Sequence, residues 1–309
     1  MSFNWKDEIT KITPNVEIEV DMRNHTYFKI GGKAEALVTP TTFEELVNVY
    51  KWANKNGLNI TIIGNGTNLL VSDKGILGVV IKVSENLSAI KKDSYIIIAQ
   101  AGALLSSVAK VALKMNLSGF EFASGIPGSI GGAVYMNAGA YDGEMKDVVS
   151  KATVLTKSGD IEVWDKARLK LDYRNSAVAK EGAIILDVEI SLSKGIYKEI
   201  LDKMNLLNKW RRERQPLDKP SAGSTFKRPP DIAGSYLIDK IGLKGYSIGG
   251  AQVSKKHAGF IINTGGATAQ DVLDLMAFVQ KRVYEEEGVL LTPEVRFIGQ
   301  YQESKLITK

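Results

Sequence analysis

The sequence predicts a protein of the α+β class, because strand patterns and helix patterns intermix along its 309 residues. Short runs rich in β-branched residues are bounded by glycine, and amphipathic segments carry capping signals at their ends. Hydrophobic residues make up 44% of the chain and charged residues 24%, values typical of globular proteins. The length predicts two or three compact units.

The first helix is predicted over residues 41–57. Thr41 or Thr42 caps its N-terminus with a glutamate three residues on, Leu46, Val49, Tyr50 and Ala53 form an apolar face, and Gly57 ends it. Strands are then predicted at 58–64, 69–83 and 94–102, with a turn GNGTN after the first of them. An amphipathic helix at 103–116 leads into the glycine-rich stretch GIPGSIGGAVYMNAGAYDGEM at 125–145.

The second half of the chain follows the same mixed pattern. The predicted elements are a hairpin at 151–165 that turns at Ser158 and Gly159, a strand at 182–192, a helix at 197–216 that Pro216 ends, a helix at 269–287 and a strand at 290–299. Thr268 and Asp271 are spaced for a capping box at the start of the last helix, and Val272, Leu275, Val279 and Val283 form its core face.

Composition excludes several kinds of chemistry. The chain has no cysteine, which removes disulfides and thiolate sites, and its two histidines, His25 and His257, offer little material for a metal cluster or a catalytic triad. The N-terminus lacks an apolar signal-peptide core, and no segment approaches about 18 uninterrupted apolar residues. We therefore expect a cytoplasmic protein with no bound metal and no membrane partner.

Basic residues concentrate in one segment, Lys209 to Arg228, which holds seven basic and two acidic side chains and matches the whole-chain charge of +5. Trp210 and Phe226 lie within it, yet aromatic and basic residues do not alternate as in nucleic-acid surfaces. We expect a small anionic ligand here and no nucleic acid. Arg211 and Arg212 are interpreted as a solvated helix end, where positive charge suits the helix dipole.

Two glycine-rich loops lack basic side chains, at residues 56–73 and 115–145. The dinucleotide fingerprint fails in the first because Leu69 stands where its third glycine belongs, and no P-loop motif occurs anywhere. Backbone N–H groups would have to hold any anion in such loops, and glycine permits their close approach. Tight turns packed against neighbouring strands explain the glycines equally well.

Six motifs in order resemble those of the UDP-N-acetylenolpyruvoylglucosamine reductase (MurB) family. They are GNGTNLLVSD, GIPGSIGGAVYMNAGAYDGEM, YRNS at 173–176, AGSTFKRP at 222–229, GGAQVSKKHAGFIIN at 249–263 and LTPEVRFIG at 291–299. The resemblance implies an FAD-binding fold of the p-cresol methylhydroxylase or vanillyl-alcohol oxidase type with a C-terminal α+β domain for the substrate.

On this resemblance the FAD-binding subdomains cover 1–82 and 83–203 and the substrate domain 204–309, with the option that the last residues return to the first subdomain. FAD is expected to bind without a covalent link, since cysteine is absent and nothing places His25 at the flavin ring. The implied FAD-binding residues are Gly64, Asn65, Gly66, Thr67, Asn68 and Leu69 in the first loop, and Gly125, Gly128, Ser129, Gly131, Gly132 and Ala133 in the second.

The resemblance also implies the reaction, in which NADPH reduces FAD and the enolpyruvyl ether of UDP-N-acetylglucosamine becomes the lactyl ether. Ser224 maps onto the proton donor, Arg174 onto the arginine that pairs with the enolate or carboxylate, and Glu294 onto the glutamate that polarises the enolpyruvyl group. Without the resemblance these three would read as a turn serine, a surface arginine and a solvated strand residue.

The implied substrate is a small molecule, a UDP-sugar with a diphosphate and a carboxylate. Its candidate binding residues are Tyr173, Arg214, Lys227 and Arg228, the last standing where better-known family members carry asparagine. We expect a monomer, with NADPH as co-substrate and a structural role for His257. The alternative is another FAD oxidoreductase of the same fold that acts on an alcohol or a lactone.

Overall fold

The structure is a computed structural model that describes residues 4–301. Ten α-helices lie within this range. They are α1 (Trp5–Ile12), α2 (Phe43–Lys55), α3 (Leu105–Lys114), α4 (Ile130–Tyr135), α5 (Met145–Val148), α6 (Lys166–Leu169), α7 (Ala177–Glu181), α8 (Tyr197–Arg214), α9 (Gly234–Lys240) and α10 (Ala269–Glu287). Within the same residues, no helix is long and apolar enough to cross a membrane.

Eighteen strands lie in the same range, many of them short. They are β1 (Val16–Asp21), β2 (Lys33–Val38), β3 (Ile60–Ile63), β4 (Leu69–Val71), β5 (Ile76–Lys82), β6 (Ile90–Asp93), β7 (Ile96–Gln100), β8 (Leu117–Ser118), β9 (Gly139–Ala140), β10 (Gly143–Glu144), β11 (Val149–Leu155), β12 (Ile161–Asp165), β13 (Ile184–Ser191), β14 (Ser193–Lys194), β15 (Ser247–Ile248), β16 (Ala251–Val253), β17 (Ile261–Asn263) and β18 (Arg296–Ile298). A four-stranded sheet has the order β1-β2-β5-β3, and its β3–β5 pair is parallel.

The chain divides into two compact units that interleave along the sequence. Unit one comprises residues 4–17, 37–65 and 79–211, and unit two comprises residues 18–36, 66–78 and 212–301 of the described range. The three-part division at 82/83 and 203/204 that the resemblance implies stays a prediction, and residues 302–309 lie outside the part of the chain that the structure describes.

Unit one is built on a five-stranded antiparallel sheet with the order β12-β11-β13-β7-β6. Ile97 of β7 and Val188 of β13 are fully buried and share one hydrophobic core with Leu46 of α2 and Val108 of α3. An antiparallel sheet that buries one face under helices is typical of α+β proteins. The predicted α+β class is confirmed.

Unit two has its own core, which forms around α10. The antiparallel sheet β15-β16-β17 and the parallel pair β18–β4 belong to this unit. The predicted core face of α10 is confirmed, since Val272, Leu275, Val279 and Val283 are fully buried. Its capping box of Thr268 and Asp271 also forms as predicted.

Local signals located α2, α3, α8, α10 and several of the strands, and two of the differences from the structure have a clear physical cause. The single strand predicted at 69–83 is wrong, because a turn separates β4 from β5. Ser72 Oγ accepts the Lys74 N–H at 3.1 Å, and Gly75 has a left-handed φ of +82°. Helix α4 was not predicted within the glycine-rich stretch, whose glycines disfavour helices.

Candidate functional site

In unit one, the first candidate cofactor loop begins where β3 ends. Because β3 and β5 are parallel, Gly64 and the residues that follow β5 lie at the same sheet edge. A Cβ at Gly64 would lie 2.8 Å from the Ser129 hydroxyl, a separation that real Cβ atoms essentially never show. The first loop therefore meets Ser129 of the second loop at a position that tolerates no side chain.

The second loop leads into α4 and uses some of its N–H groups internally. The Ile130 N–H donates to the Ala103 carbonyl at 2.8 Å, and the Gly131 N–H donates to the Ala101 carbonyl at 2.9 Å. A Cβ at Gly131 would lie 2.8 Å from Ala101 Cβ. Close packing alone thus explains Gly131, whereas Gly132 is exposed at the start of the helix.

Three further residues of the second loop surround this contact. Gly128 has a left-handed φ of +131°, and its carbonyl accepts the Leu105 N–H at 3.1 Å. Ser129 and Ala133 are buried, and Asn65 of the first loop is half-buried. The glycine at 128 is explained by its conformation, which side-chain-bearing residues rarely adopt.

Ser84, which follows β5 at the same sheet edge, carries a buried hydroxyl without a hydrogen-bond partner among the described residues. The pKa of the neighbouring Glu85 is lowered, chiefly by its own backbone N–H. The Ser84 hydroxyl adds to that effect only weakly, without hydrogen-bond geometry. An orphaned buried hydroxyl costs about 1–3 kcal/mol, so it indicates a missing polar partner. The unpartnered hydroxyl of Ser84 fits a bound polar cofactor such as FAD at this sheet edge.

Gly125, at the start of the second loop, faces the C-terminal turns of α8. A Cβ there would collide with Asn208 Oδ1 and would lie 3.3 Å from Arg211 Nε. Arg211 is half-buried, and burial lowers its pKa, while the Tyr141 hydroxyl counteracts this. The loop without basic residues of its own therefore receives an arginine from a distant helix.

The interpretation of Arg211 as a solvated helix end is wrong, although Arg212 beside it is exposed as expected. Tyr141 holds this end of α8, since its hydroxyl donates to the Leu207 carbonyl at 2.8 Å. Arg211 follows the buried Leu207 by four residues, and residues so spaced share one face of a helix. This spacing from Leu207 is the sequence signal that could have predicted the partial burial of Arg211.

The YRNS motif forms a tight turn in unit one. Asp172 and Asn175 exchange two main-chain hydrogen bonds of 3.0 Å each, which puts Tyr173 and Arg174 at the tip. Arg174 has a left-handed φ of +53°, and its guanidinium carbon lies 4.9 Å from the centre of the Tyr173 ring. The structure thus brings these two candidate residues together, with Tyr173 exposed and Arg174 half-buried.

In unit two, the second half of the GNGTN turn packs closely against other backbone. Gly66 is buried with φ +66°, and a Cβ there would collide with the His25 carbonyl. Asn68 Nδ2 donates to the Glu294 carbonyl at 3.2 Å, and the Asn68 carbonyl accepts the Arg296 N–H at 2.9 Å. Thr67 and Leu69 flank Asn68, and both are half-buried.

Glu294 also joins the segment that carries Ser224. The Glu294 N–H donates to the Thr225 carbonyl at 2.9 Å, and Phe226 pairs with Pro293 in an antiparallel bridge. Thr225 is buried and its hydroxyl accepts the Ile261 N–H at 3.0 Å, whereas Ser224 beside it is exposed. The structure therefore brings Ser224, Glu294 and the Asn68 loop into one neighbourhood of unit two.

Two candidate substrate residues of the basic segment, Lys227 and Arg228, follow Ser224 and Thr225 along the chain. The Lys227 N–H donates to the Thr292 carbonyl at 2.8 Å, and Arg228 follows it with an exposed side chain. Arg214 is the last residue of α8 and is exposed. Arg214 and Arg228 are thus exposed, whereas Lys227 is half-buried.

His257 sits in a packed environment of unit two. Its ring meets the Phe260 ring edge-on at 5.0 Å, and its Nδ1 accepts the Gly259 N–H at 3.1 Å. Burial lowers its pKa, which favours the neutral ring. No group of three or more His, Asp or Glu residues within 4–301 could hold a metal ion.

Two family models match the chain. One, described as "FAD binding domain", matches residues 34–164, and the other, described as "UDP-N-acetylenolpyruvoylglucosamine reductase, C-terminal domain", matches residues 215–298. The first contains both glycine-rich loops, and the second contains Ser224 and Glu294.

Curated relatives are similar over nearly their whole length. A UDP-N-acetylenolpyruvoylglucosamine reductase of Caldanaerobacter subterraneus is 53% identical, over 90% of this chain and 92% of its own. One of Alkaliphilus oremlandii is 49% identical, over 94% and 97%. The crystal structure of the Thermus caldophilus enzyme (MurB) matches with a TM-score of 0.78 at 34% identity, over 92% of this chain and 99% of that one. These matches confirm the predicted FAD-binding fold with its C-terminal domain.

Proposed function

The chain belongs to the UDP-N-acetylenolpyruvoylglucosamine reductase family, and from this premise we propose that it reduces UDP-N-acetylglucosamine enolpyruvate to UDP-N-acetylmuramate. It does so as a cytoplasmic monomer in peptidoglycan synthesis, with non-covalent FAD as cofactor and NADPH as the source of hydride. The observation that supports the proposal is the hydrogen bond from the Glu294 N–H to the Thr225 carbonyl, because it joins Glu294 to the segment that carries Ser224, and we assign catalytic roles to both residues.

The cofactor is held by the two loops of unit one around Gly64 and Ser129. The buried, unpartnered hydroxyl of Ser84, which follows β5 at the same sheet edge as Gly64, supports this assignment. When bound, FAD would supply hydride-transfer chemistry, with NADPH as the source of the hydride and the enolpyruvyl group of the substrate as its acceptor.

The protein's own side chains stabilise the negative charge that develops on the substrate and donate the proton that completes the reaction. Hydride addition to the vinyl carbon leaves negative charge on the carbon that bears the carboxylate, as an enolate. Arg174 pairs with this charge, Glu294 polarises the enolpyruvyl group, and Ser224 gives its hydroxyl proton to the enolate carbon. A neighbouring cation or hydrogen bond stabilises the serine alkoxide that remains.

The anionic parts of the substrate are bound by basic side chains. We assign Arg214, Lys227 and Arg228 to the diphosphate, because they come from the one segment in which positive charge concentrates. Tyr173 contributes a ring next to Arg174 at the tip of the YRNS turn. None of these proposed substrate contacts involves a metal ion.

The test begins with the cofactor. Purified protein is titrated with FAD, and we expect saturable binding with flavin absorbance near about 450 nm. Protein that binds no flavin under any loading condition would refute the proposal at its first step.

The substrate is tested next, on enzyme that NADPH has reduced without oxygen. We expect the UDP-enolpyruvyl sugar to reoxidise it within milliseconds to seconds. Reoxidation by oxygen only, with reduction of the flavin by an alcohol or a lactone, would instead identify the alternative oxidoreductase. Matched samples with UDP-N-acetylglucosamine, which lacks the enolpyruvyl group, serve as the control.

A further inference from the structure

Asn137 is a buried polar residue that follows α4 in unit one. It is fully buried, with a left-handed φ of +42°. Its Nδ2 donates to Glu144 Oε2 at 2.8 Å and to the Asp172 carbonyl at 3.0 Å, and its Oδ1 accepts the Lys146 N–H at 2.9 Å. Both donor hydrogens and the acceptor are thus engaged, as buried amides require.

The bond to Asp172 reaches the turn that carries Arg174. A left-handed conformation at an arginine is strained and persists only where the surrounding structure holds it. The turn is closed by its own two main-chain bonds between Asp172 and Asn175. Asn137 adds a bond from outside, which fixes the turn against the end of α4.

A second bond acts at the other side of the turn. Ser176 Oγ donates to the Tyr135 carbonyl at 2.8 Å and also accepts the Ala179 N–H at 3.1 Å as the N-cap of α7. Both flanks of the YRNS turn are therefore bonded to residues 135–137. Helix α4, six residues long, connects this point to Ser129 in the second glycine-rich loop.

We propose that Asn137 is a positioning residue, which couples the second glycine-rich loop to the orientation of Arg174. The inference rests on the proposed function, because it assigns the loop to FAD and Arg174 to the substrate. Cofactor binding at the loop then orders the YRNS turn through α4 and Asn137. Asn137 itself is fully buried and acts through Arg174, not on the substrate.

The test compares Asn137→Ala with the control Asn116→Ala. Asn116 also has a left-handed φ, +56°, after helix α3 of the same unit, and it is exposed. Both variants lose an asparagine suited to that backbone, but only Asn137→Ala loses the bond to Asp172. The readouts are FAD affinity by fluorescence, amide hydrogen exchange of residues 172–176 with and without saturating FAD, and kcat and KM.

In the unmodified protein, FAD is expected to slow exchange in residues 172–176. Asn137→Ala is expected to bind FAD within about threefold of normal, to lose this protection, and to lose kcat by about 10- to 100-fold, the scale of a misplaced catalytic group. Asn116→Ala is expected to behave as the unmodified protein. An Asn137→Ala protein that keeps both the protection and kcat overturns the inference.

The two proposals fail in distinguishable ways. If the unmodified protein binds no FAD, the proposed function fails. Only the positioning role fails if the unmodified protein binds FAD and turns over, but amide hydrogen exchange in residues 172–176 does not change when FAD binds or does not change in Asn137→Ala. Should Asn137→Ala not fold, Ser176→Ala removes the second bond, and the same loss of protection and kcat is expected. Unchanged values in Ser176→Ala would then overturn the inference.

Discussion

The side-chain amide of Asn68 donates a 3.2 Å hydrogen bond to the main-chain carbonyl of Glu294. The two residues are far apart in sequence, and each belongs to a different motif. One motif was assigned to the cofactor and the other to catalysis, so this bond joins the two assignments within unit two. Because Glu294 also donates to Thr225, the arrangement of three motifs depends on main-chain geometry around one glutamate.

Asn68→Ala removes this bond. We expect kcat to fall about 10-fold while the free energy of unfolding changes by about 1 kcal/mol, the usual net value of one hydrogen bond. Steady-state kinetics and denaturant unfolding measure the two quantities. Gln270→Ala, which removes an exposed bond to Asp274 in α10, is the control and should leave kcat unchanged. A normal kcat in Asn68→Ala would separate the loop from Glu294 function.

Ser224→Ala tests the proton donor. Since Ser224 is exposed, the substitution should change the free energy of unfolding by less than about 0.5 kcal/mol. FAD binding and reduction by NADPH should persist, while turnover falls by about 10²- to 10⁴-fold because proton transfer is lost. Stopped-flow measurement of each half-reaction locates the defect. Ser221→Ala, three residues earlier, is the control, and near-normal turnover in Ser224→Ala would remove the serine from its role.

Gly64→Ala tests whether the sheet edge accommodates a cofactor. The new Cβ would strike the Ser129 hydroxyl, so we expect the FAD dissociation constant to rise by about 10-fold or more. The double variant Gly64→Ala with Ser129→Ala separates two explanations. If Gly64 only makes room for Ser129, the double variant restores FAD affinity. We expect stability to recover and affinity to stay low, measured by thermal unfolding and by FAD titration.

The sequence predicted those parts of the fold whose signals are local. Helix α10 begins and ends where predicted because Thr268, Asp271 and the αL Gly288 are all short-range determinants. The turn between β4 and β5 was missed because the side-chain bond of Ser72 overrides a strand-like run. Helix α4 was missed because its stability depends on tertiary contacts such as the bond from Gly131 to Ala101.

The sequence predicted only those candidate site residues that lie within the family motifs. The motif residues Ser224 and Glu294 were named from sequence, but their main-chain connection depends on pairing between distant segments. The burial of Arg211 and the orphaned hydroxyl of Ser84 depend on neighbours that no local pattern specifies. A basic residue at a helix end is usually solvated, and Arg211 departs from that rule because it is half-buried and interacts with the Tyr141 hydroxyl.

Ser84→Ala should have opposite effects on the empty and the loaded protein. In the absence of FAD, removal of an unpartnered buried hydroxyl should leave the melting temperature unchanged or higher. FAD affinity should fall by about 3- to 10-fold, the value of one lost hydrogen bond. Thermal unfolding with and without FAD measures both effects. Ser88→Ala, at a half-buried serine nearby, is the control, and equal FAD affinity in Ser84→Ala would show that the hydroxyl has another partner.

Arg211→Gln tests the arginine that faces the second loop. Within residues 4–301, the group that counteracts its desolvation is the Tyr141 hydroxyl and not a carboxylate, so an anionic ligand would stabilise this half-buried cation. We expect the variant to weaken binding of FAD or of the UDP-sugar by about 10-fold or more, with the affected ligand identifying which diphosphate Arg211 contacts. FAD titration and the KM for the sugar are measured at two salt concentrations.

Arg212→Gln is the matched control for this experiment. It removes the same charge from the adjacent, exposed position of α8, so any general effect of net charge appears in both variants. Because exposed charges are screened by salt, the effect of Arg212→Gln should be small and should vanish at high ionic strength, whereas that of Arg211→Gln should persist. Equal, salt-sensitive losses in the two variants would show that Arg211 contributes only to the field of the helix end and contacts neither ligand.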